Sequence, residues 1–273
     1  MSLAFDPEAV RAFEHARWER AAPVFAASFA TATSQFVEAL LDAASVRAGT
    51  RVLDIACGSG VATAEAASRG AIAAGVDFSA AMLAVARGDH PAIVFLQGDA
   101  EALPCADAAF DAAVANFGVH HVPRPPLALA EAHRALATGG RIAVSFWAEP
   151  AQNIAWRLLF DAVRRHGDAA ASGAPPPGGG FGSVRQILDA LRDAGFMSLQ
   201  AQLERRVWRH RDAASLVAAL RAGTARMAAL IDAQSPAALR AIVADIDANA
   251  AAWRDAHGLA LPIAAVIAAG VKR

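Results

Sequence analysis

The sequence contains no tyrosine, and its only lysine is Lys272. A tyrosine–lysine pair that would assist hydride transfer therefore cannot be formed within this chain. The formal net charge is -1, and the arginines form no long basic tract. Because nucleic-acid binding depends on a basic surface, we expect no nucleic-acid partner.

Cysteine is scarce as well, with Cys57 and Cys105 only. The two lack the paired spacing of zinc sites and are too few for a disulfide framework, so we expect no metal site and a reducing cytoplasm. Residues 259–271 form the longest apolar run, which is too short to cross a bilayer and contains Pro262. Residues 1–20 carry several acids and no apolar core of a signal peptide. We therefore expect a soluble protein without a membrane span.

The most informative stretch is residues 51–60, an apolar run that ends in an acid and a Gly-x-Gly turn. Gly58 and Gly60 lack a Cβ atom, which permits a tight turn and the close approach of a ligand to the backbone. Residues 61–68 favour a helix whose unpaired N–H groups point into the same space. The pattern predicts the first β-turn-α unit of a parallel sheet, with a site for a polar ligand.

The spacing of the glycines separates two ligand classes. A dinucleotide-binding turn requires a third glycine, and Thr63 occupies that position here. Residues 52–60, Val-Leu-Asp-Ile-Ala-Cys-Gly-Ser-Gly, resemble the first motif of the class I S-adenosylmethionine-dependent methyltransferases, in the style of the enzymes of ubiquinone and menaquinone biosynthesis. The resemblance implies that this cofactor contacts Asp54, Ala56, Gly58 and Gly60.

A second acid follows the next predicted strand, 71–77. Asp77 lies about twenty residues beyond the glycine turn, where acids bind ribose hydroxyls in nucleotide-binding α/β folds. Residues 77–83 resemble the second conserved segment of the same family, which adds Phe78 and Met82 to the predicted cofactor contacts.

A third segment, Gly98-Asp99-Ala100, resembles the part of the family that faces adenine. The resemblance implies that Asp99 accepts a hydrogen bond from the exocyclic amine and that Ala100 contributes its backbone. Asn116 ends the fourth predicted strand, 110–117, and the carboxyl ends of parallel strands meet at one edge of the sheet. We therefore add Asn116 to the predicted cofactor site.

Two adjacent histidines, His120 and His121, follow the fourth strand. A histidine at this edge could act as a general base on a phenol, enol or amine, because its pKa lies near working pH. Each could equally be packed with its ring nitrogens satisfied. Both are retained as candidate catalytic residues.

The succession of strand and helix patterns predicts a doubly wound α/β fold with right-handed crossovers. The resemblance implies a seven-stranded Rossmann-like sheet whose last two strands form a hairpin, together with a helical cap. The expected parts are an N-terminal helical lid (1–45), a cofactor-binding core (46–148), a loop and helix insertion (149–182), and the rest of the sheet (183–273) with a cap insertion at about 212–257.

The family resemblance also implies an N-terminal tryptophan, alanine and tyrosine near the cofactor. This chain has Trp18, Ala22 and Phe25, so a phenolic hydrogen bond is excluded. The predicted function is methyl transfer from S-adenosylmethionine to a small-molecule acceptor by in-line displacement. The alternatives are a nicotinamide-dependent oxidoreductase and a catalytically silent scaffold that binds the cofactor.

Overall fold

A computed structural model describes residues 5–170, 183–223 and 225–273. The predicted loop at 172–182 lies outside the described residues. The strands are β1 (Arg51–Ile55), β2 (Ile72–Asp77), β3 (Val94–Gln97), β4 (Phe110–Asn116), β5 (Leu136–Trp147), β6 (Phe196–His210), β7 (Arg254–Asp255) and β8 (Gly258–Lys272).

The α-helices lie before, between and after these strands. They are α1 (Pro7–Phe25), α2 (Ala30–Thr33), α3 (Val37–Ala43), α4 (Val61–Ser68), α5 (Ala80–Asp89), α6 (Pro125–Ala135), α7 (Ile154–His166), α8 (Val184–Asp193), α9 (Ala213–Gly223), α10 (Ala225–Asp232) and α11 (Pro236–Asn249).

The strands form one sheet in the order β3-β2-β1-β4-β5-β8-β6, and the two-residue strand β7 pairs with β8 beside this path. Strands β1 to β5 all run parallel to one another, whereas β8 runs antiparallel to both β5 and β6. The predicted doubly wound sheet of seven long strands is confirmed, as is the hairpin of the last two long strands. Helices α9, α10 and α11 lie between β6 and β8 in the chain.

The alternation of side chains along β4 shows how helices cover both faces of the sheet. Ala112 and Val114 pack in a cluster with residues of α3 and α4. Ala113 and Ala115 point the other way, into a cluster with α6 and α8. Because both faces of β4 are buried, the middle of this strand, residues 112–115, is a continuous apolar run, as expected for this architecture.

The largest apolar cluster lies beyond the carboxyl ends of the central strands and joins segments from distant parts of the chain. It includes Phe29, Trp156 and Trp208 together with side chains of α7, α9 and α11. Trp208 is 1% exposed, and its indole Nε1 donates to Thr31 Oγ1 at 2.8 Å. The N-terminal helices are therefore packed into the same core as the helices inserted before β8.

Serine favours the N-cap position of a helix, and the sequence places Ser79 and Ser235 directly before two helical patterns. Both helix starts are confirmed by their caps. Ser79 accepts from Met82 N at 3.1 Å and Ser235 accepts from Ala238 N at 3.2 Å, each at the first turn of a helix. Pro23 favours an interruption of the N-terminal helix. In the structure Pro23 lies inside the last turn of α1, which ends two residues later at Phe25.

The end of α6 differs from the prediction. Two prolines at 125–126 and a glycine pair at 139–140 predict a helix that runs through Leu136 and is closed by the glycines. In the structure the helix ends at Ala135, and Leu136 already belongs to β5. The ladder between β4 and β5 shifts register after the Phe110–Leu136 pair. The two glycines accommodate this irregularity, since Gly139 has φ of +82° and a Cβ on Gly140 would lie 2.7 Å from the carbonyl oxygen of Ala137.

Among the described residues, no single helix has the length and apolarity needed to cross a membrane. One pair, Pro7–Phe25 with Ala30–Ala43, passes on length and composition when taken together, but the two parts are bent by 79°.

The positive φ angles of two glycines give a matched test of packing at the first turn. Gly60 and Gly139 both have φ of +82°, but a Cβ on Gly60 would lie 2.7 Å from the Phe95 ring, whereas a Cβ on Gly139 would meet nothing within 4 Å. Gly139→Ala should lower the free energy of unfolding by about 1–2 kcal/mol, the cost of a left-handed backbone. Gly60→Ala should cost about 1–3 kcal/mol more, because Phe95 must move. Urea denaturation measures both, and equal losses would contradict the packing role of Gly60.

Candidate functional site

A cavity opens at the carboxyl ends of β1, β2 and β4, and α1 borders one side of it. Its empty volume is about 1090 Å³, counting the part open to solvent. The cavity brings together most of the predicted site residues, namely Asp54, Ala56, Gly58, Asp77, Phe78, Met82, Asp99, Ala100, Asn116 and His121. Gly60 and His120 do not line it.

Asp54 is the next-to-last residue of β1, below the glycine turn, and is 1% exposed. Its Oδ2 accepts from Thr63 Oγ1 at 2.6 Å, while Oδ1 is buried without a partner among the described residues. Burial raises the pKa of Asp54 to about 7, and the nearby charge of Asp77 adds to the increase. An unpartnered buried carboxylate oxygen at a cavity wall is suited to a cationic or hydrogen-bond-donating ligand.

Asp77 ends β2 and is 6% exposed. Its Oδ2 accepts from Gly58 N and its Oδ1 from Ser79 N, each at 2.8 Å. Burial raises the pKa of Asp77 to about 6, although these backbone hydrogen bonds oppose the increase. The carboxylate thus connects the turn after β1 to the turn after β2, and it lines the cavity, where a ligand can approach it.

The two glycines of the turn have different roles. A Cβ on Gly58 would meet nothing within 4 Å, so the backbone there is open to the cavity. Gly60 begins α4 with φ of +82° and lies against Phe95 instead. The N-cap residue of α4 is Gly60, which has no side chain to cap the helix, and the first N–H groups of α4 supply positive partial charge near the cavity.

Asp99 follows β3 and already has a partner. Its Oδ2 forms a short ion pair with Arg11 of α1, and its Oδ1 accepts from Glu101 N at 2.9 Å. Arg11 also donates to Glu101, whose side chain is 3% exposed and is held by Arg124 as well. The N-terminal helix is therefore bound through charge to the segment predicted to face adenine.

The cavity floor contains two strained residues. Ala56 after β1 and Phe117 after β4 have φ of 55° and 56°, which non-glycine residues rarely adopt. Ser145 stabilises the strained backbone conformation of Phe117. Its Oγ accepts from Phe117 N at 2.9 Å and donates to Asn116 Oδ1 at 2.8 Å. Non-glycine strain of this kind costs on the order of 1–3 kcal/mol and is concentrated at functional sites.

Aromatic side chains form the cavity wall away from the acids. Phe117 stacks on Trp147 with ring centroids 4.1 Å apart, and Phe29 meets Trp147 edge-on at 5.8 Å. Trp18 and Phe25 of α1 complete this wall, with centroids 5.6 Å apart. The site therefore has a carboxylate-rich end and an aromatic end, which favours a ligand pair of unlike polarity.

The two predicted catalytic histidines are in different positions. His121 lines the cavity, and its Nδ1 lies 3.2 Å from Oε2 of Glu14. The Nδ1 of His120 is buried without a partner among the described residues, and burial lowers the pKa of His120 well below its usual value. In the described part of the chain, no group of three His, Cys, Asp or Glu residues is arranged to hold a metal ion.

Sequence reasoning did not single out several residues that line the cavity, including Arg11, Phe29, Thr33, Val122 and Pro123. For Trp147, which also lines the cavity, the sequence does contain a signal, because this residue lies at the carboxyl end of a parallel strand, where ligand sites form in such sheets. Arg11 and Phe29 offered none, since they belong to helices whose position over the sheet is decided by tertiary packing.

The chain is similar to known methyltransferases. The family model described as methyltransferase domain matches residues 53–144. The demethylmenaquinone methyltransferase of Paenarthrobacter aurescens is 37% identical over 128 residues, covering 47% of this chain and 50% of that protein. The ubiquinone/menaquinone biosynthesis C-methyltransferase UbiE of Roseobacter denitrificans is 34% identical over 177 residues, covering 58% of this chain and 71% of that protein. The chain spans about half the length of the first of these curated relatives.

Two solved structures share the fold at low sequence identity. The YcgJ protein of Bacillus subtilis superimposes with a TM-score of 0.57 at 19% identity, covering 88% of this chain and 98% of that one. The [4+2]-cyclase SpnF gives a TM-score of 0.52 at 22% identity, covering 88% and 81%. These likenesses support the architecture and leave the reaction to be argued from the site.

The raised pKa of Asp54 predicts how stability changes with pH. Its folded-state pKa is about 7 against an ordinary value of 3.8, so between these values the folded state binds more protons than the unfolded state. The free energy of unfolding therefore falls as pH rises through this range. We expect the free energy of unfolding of the wild type to fall between about pH 5 and about pH 8. In Asp54→Asn this decrease, measured by urea denaturation at the two pH values, should be smaller by roughly 3 kcal/mol. Asp193→Asn, an exposed change, is the control and should behave as wild type. An identical loss in all three proteins would contradict the buried ionisation.

Proposed function

The chain belongs to the class I S-adenosylmethionine-dependent methyltransferases of the ubiquinone and menaquinone biosynthesis type, and from this membership we infer that it transfers a methyl group from S-adenosylmethionine to a small-molecule acceptor. The observation that carries the proposal is the buried Oδ1 of Asp54, which has no partner among the described residues and lies in the wall of a cavity that Asp77, Asp99 and an open glycine turn also border. The shared fold alone would be insufficient, since it also occurs in a [4+2]-cyclase.

The residues present fit this cofactor in charge and in shape. Asp54 offers a buried carboxylate oxygen to the cationic methionine part. Asp77, anchored on two backbone amides, offers its remaining lone pairs to the ribose hydroxyls. Asp99 and Ala100 border the cavity where the adenine would lie, and Phe78 and Met82 give that region apolar surface. The open backbone at Gly58 allows close approach.

S-adenosylmethionine, when bound, supplies an electrophilic methyl group on a sulfonium. The protein's contribution is to align the acceptor with this group and to keep water away. Fixed alignment of this kind can lower a barrier by roughly 7–11 kcal/mol at best. The strained backbone of Ala56 and Phe117 and the rigid Ser145–Asn116 contacts hold the cavity floor in one shape.

The aromatic wall supports the proposal that the acceptor binds at this end of the cavity. Trp147 is in ring contact with both Phe117 and Phe29, and such a surface suits a flat apolar ring. Trp18 and Phe25 extend it from the N-terminal segment, which we assign as a lid, and the inserted helices at 212–257 as a cap. Two relatives are named for demethylmenaquinone and for a ubiquinone/menaquinone C-methylation. A reduced naphthoquinone is accordingly the first acceptor to test.

A thermal-shift and turnover experiment tests the function. S-adenosylhomocysteine should raise the melting temperature of the full chain, and NADH should not. Methyl-labelled S-adenosylmethionine with 1,4-naphthohydroquinone or a metabolite extract should then give a labelled product. Stabilisation by NADH alone would favour the oxidoreductase alternative. Stabilisation by S-adenosylhomocysteine with no labelled product from any acceptor would favour the silent scaffold.

The pH dependence of cofactor binding tests the role of Asp54. Because its pKa is about 7 and a cation binds the ionised form, the affinity for S-adenosylhomocysteine should rise roughly tenfold per pH unit below neutrality and level off above it. Asp54→Asn should flatten this dependence and, above neutral pH, weaken binding by about 10- to 150-fold, the value of a hydrogen bond to a charged group. Isothermal titration calorimetry measures both effects, with Asp193→Asn as the control. An unchanged pH profile in Asp54→Asn would remove this residue from the site.

A further inference from the structure

We propose that His121 is the general base that takes the acceptor's proton during methyl transfer, and that Glu14 of α1 positions its ring. This inference rests on the proposed methyl transfer and names the proton acceptor within the same cavity. It assigns different roles to two neighbouring histidines that the sequence alone does not distinguish.

The position of His121 is the first support. It ends the short 3₁₀ helix Val119–His121, which directly follows the carboxyl end of β4. His121 lines the cavity together with Phe117, Trp18 and Asp54, so it borders the aromatic end where the acceptor is proposed to lie. The ring meets Trp18 edge-on with centroids 5.0 Å apart, which limits its rotation.

Glu14 provides the second support, because a buried acid without a role would be costly. It is 1% exposed, and its Oε2 lies 3.2 Å from Nδ1 of His121 and accepts from Trp18 Nε1 at 3.2 Å. Its other oxygen, Oε1, lies 3.6 Å from Nε of Arg226 on α10. The carboxylate is therefore fixed by contacts from three separate parts of the fold.

These contacts decide which ring nitrogen is available. The indole of Trp18 can only donate, so Oε2 of Glu14 is the acceptor of that hydrogen bond. The guanidinium of Arg226, 3.6 Å from Oε1, forms an ion pair with the same carboxylate and favours its charged, accepting form. Glu14 then accepts from His121 as well, which places the proton of the neutral ring on Nδ1. Nε2 is left as the basic nitrogen, and a carboxylate on the opposite nitrogen holds the ring in that tautomer.

The charges around the ring are suited to receiving a proton. Glu14 faces it from α1, Arg226 faces the far oxygen of that carboxylate from α10, and His120 is its neighbour in the 3₁₀ helix, with ring centroids 4.2 Å apart. A proton on Nε2 creates an imidazolium directly paired with Glu14. The unpartnered Nδ1 of His120 lies off the cavity wall, so this residue has no comparable access to an acceptor.

In the proposed step, Nε2 of His121 takes the hydroxyl or enol proton of the acceptor. In a C-methylation, the ring carbon conjugated with that oxygen forms the new bond to the methyl carbon, and the hydrogen of this ring carbon afterwards moves to the oxygen to restore the hydroquinone. In an O-methylation, the oxygen itself forms the new bond to the methyl carbon. The carbon–sulfur bond breaks at the same time, and its electron pair remains on sulfur, which becomes a neutral thioether. The positive charge of the sulfonium is thereby replaced by the charge of the His121 imidazolium. An acceptor with an acidic hydroxyl or enol proton is the class that requires such a base.

A spectroscopic test needs neither cofactor nor acceptor. In full-length protein with ¹⁵N-labelled histidine, the His121 signals are assigned by their loss in His121→Gln. At a pH where the ring is neutral, we expect the Nδ1–H tautomer in the wild type. In Glu14→Ala, in which the acceptor is removed, this preference should be lost. A wild-type ring mainly in the Nε2–H form would overturn the proposal.

A kinetic test uses 1,4-naphthohydroquinone as the acceptor probe. His121→Gln should lower kcat by about 100-fold or more, the usual contribution of a general base, with little change in the dissociation constant of S-adenosylhomocysteine. Glu14→Gln should lower kcat by a smaller factor with KM little changed. The rise of kcat with pH in the wild type should disappear in His121→Gln, and added imidazole should restore turnover in His121→Ala.

Two histidine variants serve as comparisons. His257→Gln removes an exposed histidine of the β7–β8 turn and should match the wild type. His120→Gln should lose less activity than His121→Gln and keep the pH dependence of the wild type. Equal losses in the two neighbouring variants, or loss of S-adenosylhomocysteine binding in His121→Gln, would show a packing role and overturn the proposal. Absence of methyl transfer by the wild type to any acceptor would instead overturn the proposed function and, with it, the base.

Discussion

The burial of two carboxylates beneath one glycine turn is the constraint on which the rest of the site depends. Asp54 and Asp77 are 1% and 6% exposed, and burial raises both pKa values. Two like charges in a closed space are unfavourable unless donors or a cation compensate them. Thr63 and the amides of Gly58 and Ser79 supply part of that compensation. Oδ1 of Asp54 has no hydrogen-bond partner among the described residues, and a cationic ligand can supply one.

The opposite wall depends on contacts between distant segments. Helix α1 is tied to the core at three places, by Arg11 to Asp99, by Glu14 to His121 and by Glu19, which accepts from Ser79 Oγ at 2.8 Å. Each of these partners lies in or next to a turn that borders the cavity. The N-terminal segment therefore contacts the same turns that the cofactor is proposed to contact. Charged side chains of α1 link the position of this helix to the positions of those turns.

Local sequence patterns predict the structure correctly where strand, turn and helix follow one another directly in the chain. The unit from β1 to α4, the acid after β2 and the cap at Ser79 depend on neighbours within a few residues, so the sequence was sufficient to predict them. The end of α6 was predicted wrongly, because the register shift between β4 and β5 extends the strand to Leu136. That shift is decided by pairing with a strand elsewhere in the chain, which no local pattern reports.

Thr63 and the two histidines show the same division within the site. From the sequence, Thr63 counted only as a missing glycine, whereas in the fold its hydroxyl holds Asp54. His120 and His121 are equivalent in the sequence, and the turn after β4 directs one to the cavity and leaves the other off its wall. The sequence by itself determined the family, the strand ends and the acids, because strand, turn and helix signals act over short distances. Only the tertiary structure decided the partner of each acid and the role of each histidine, because Glu14, Arg226 and the aromatic wall come from segments that folding alone brings together.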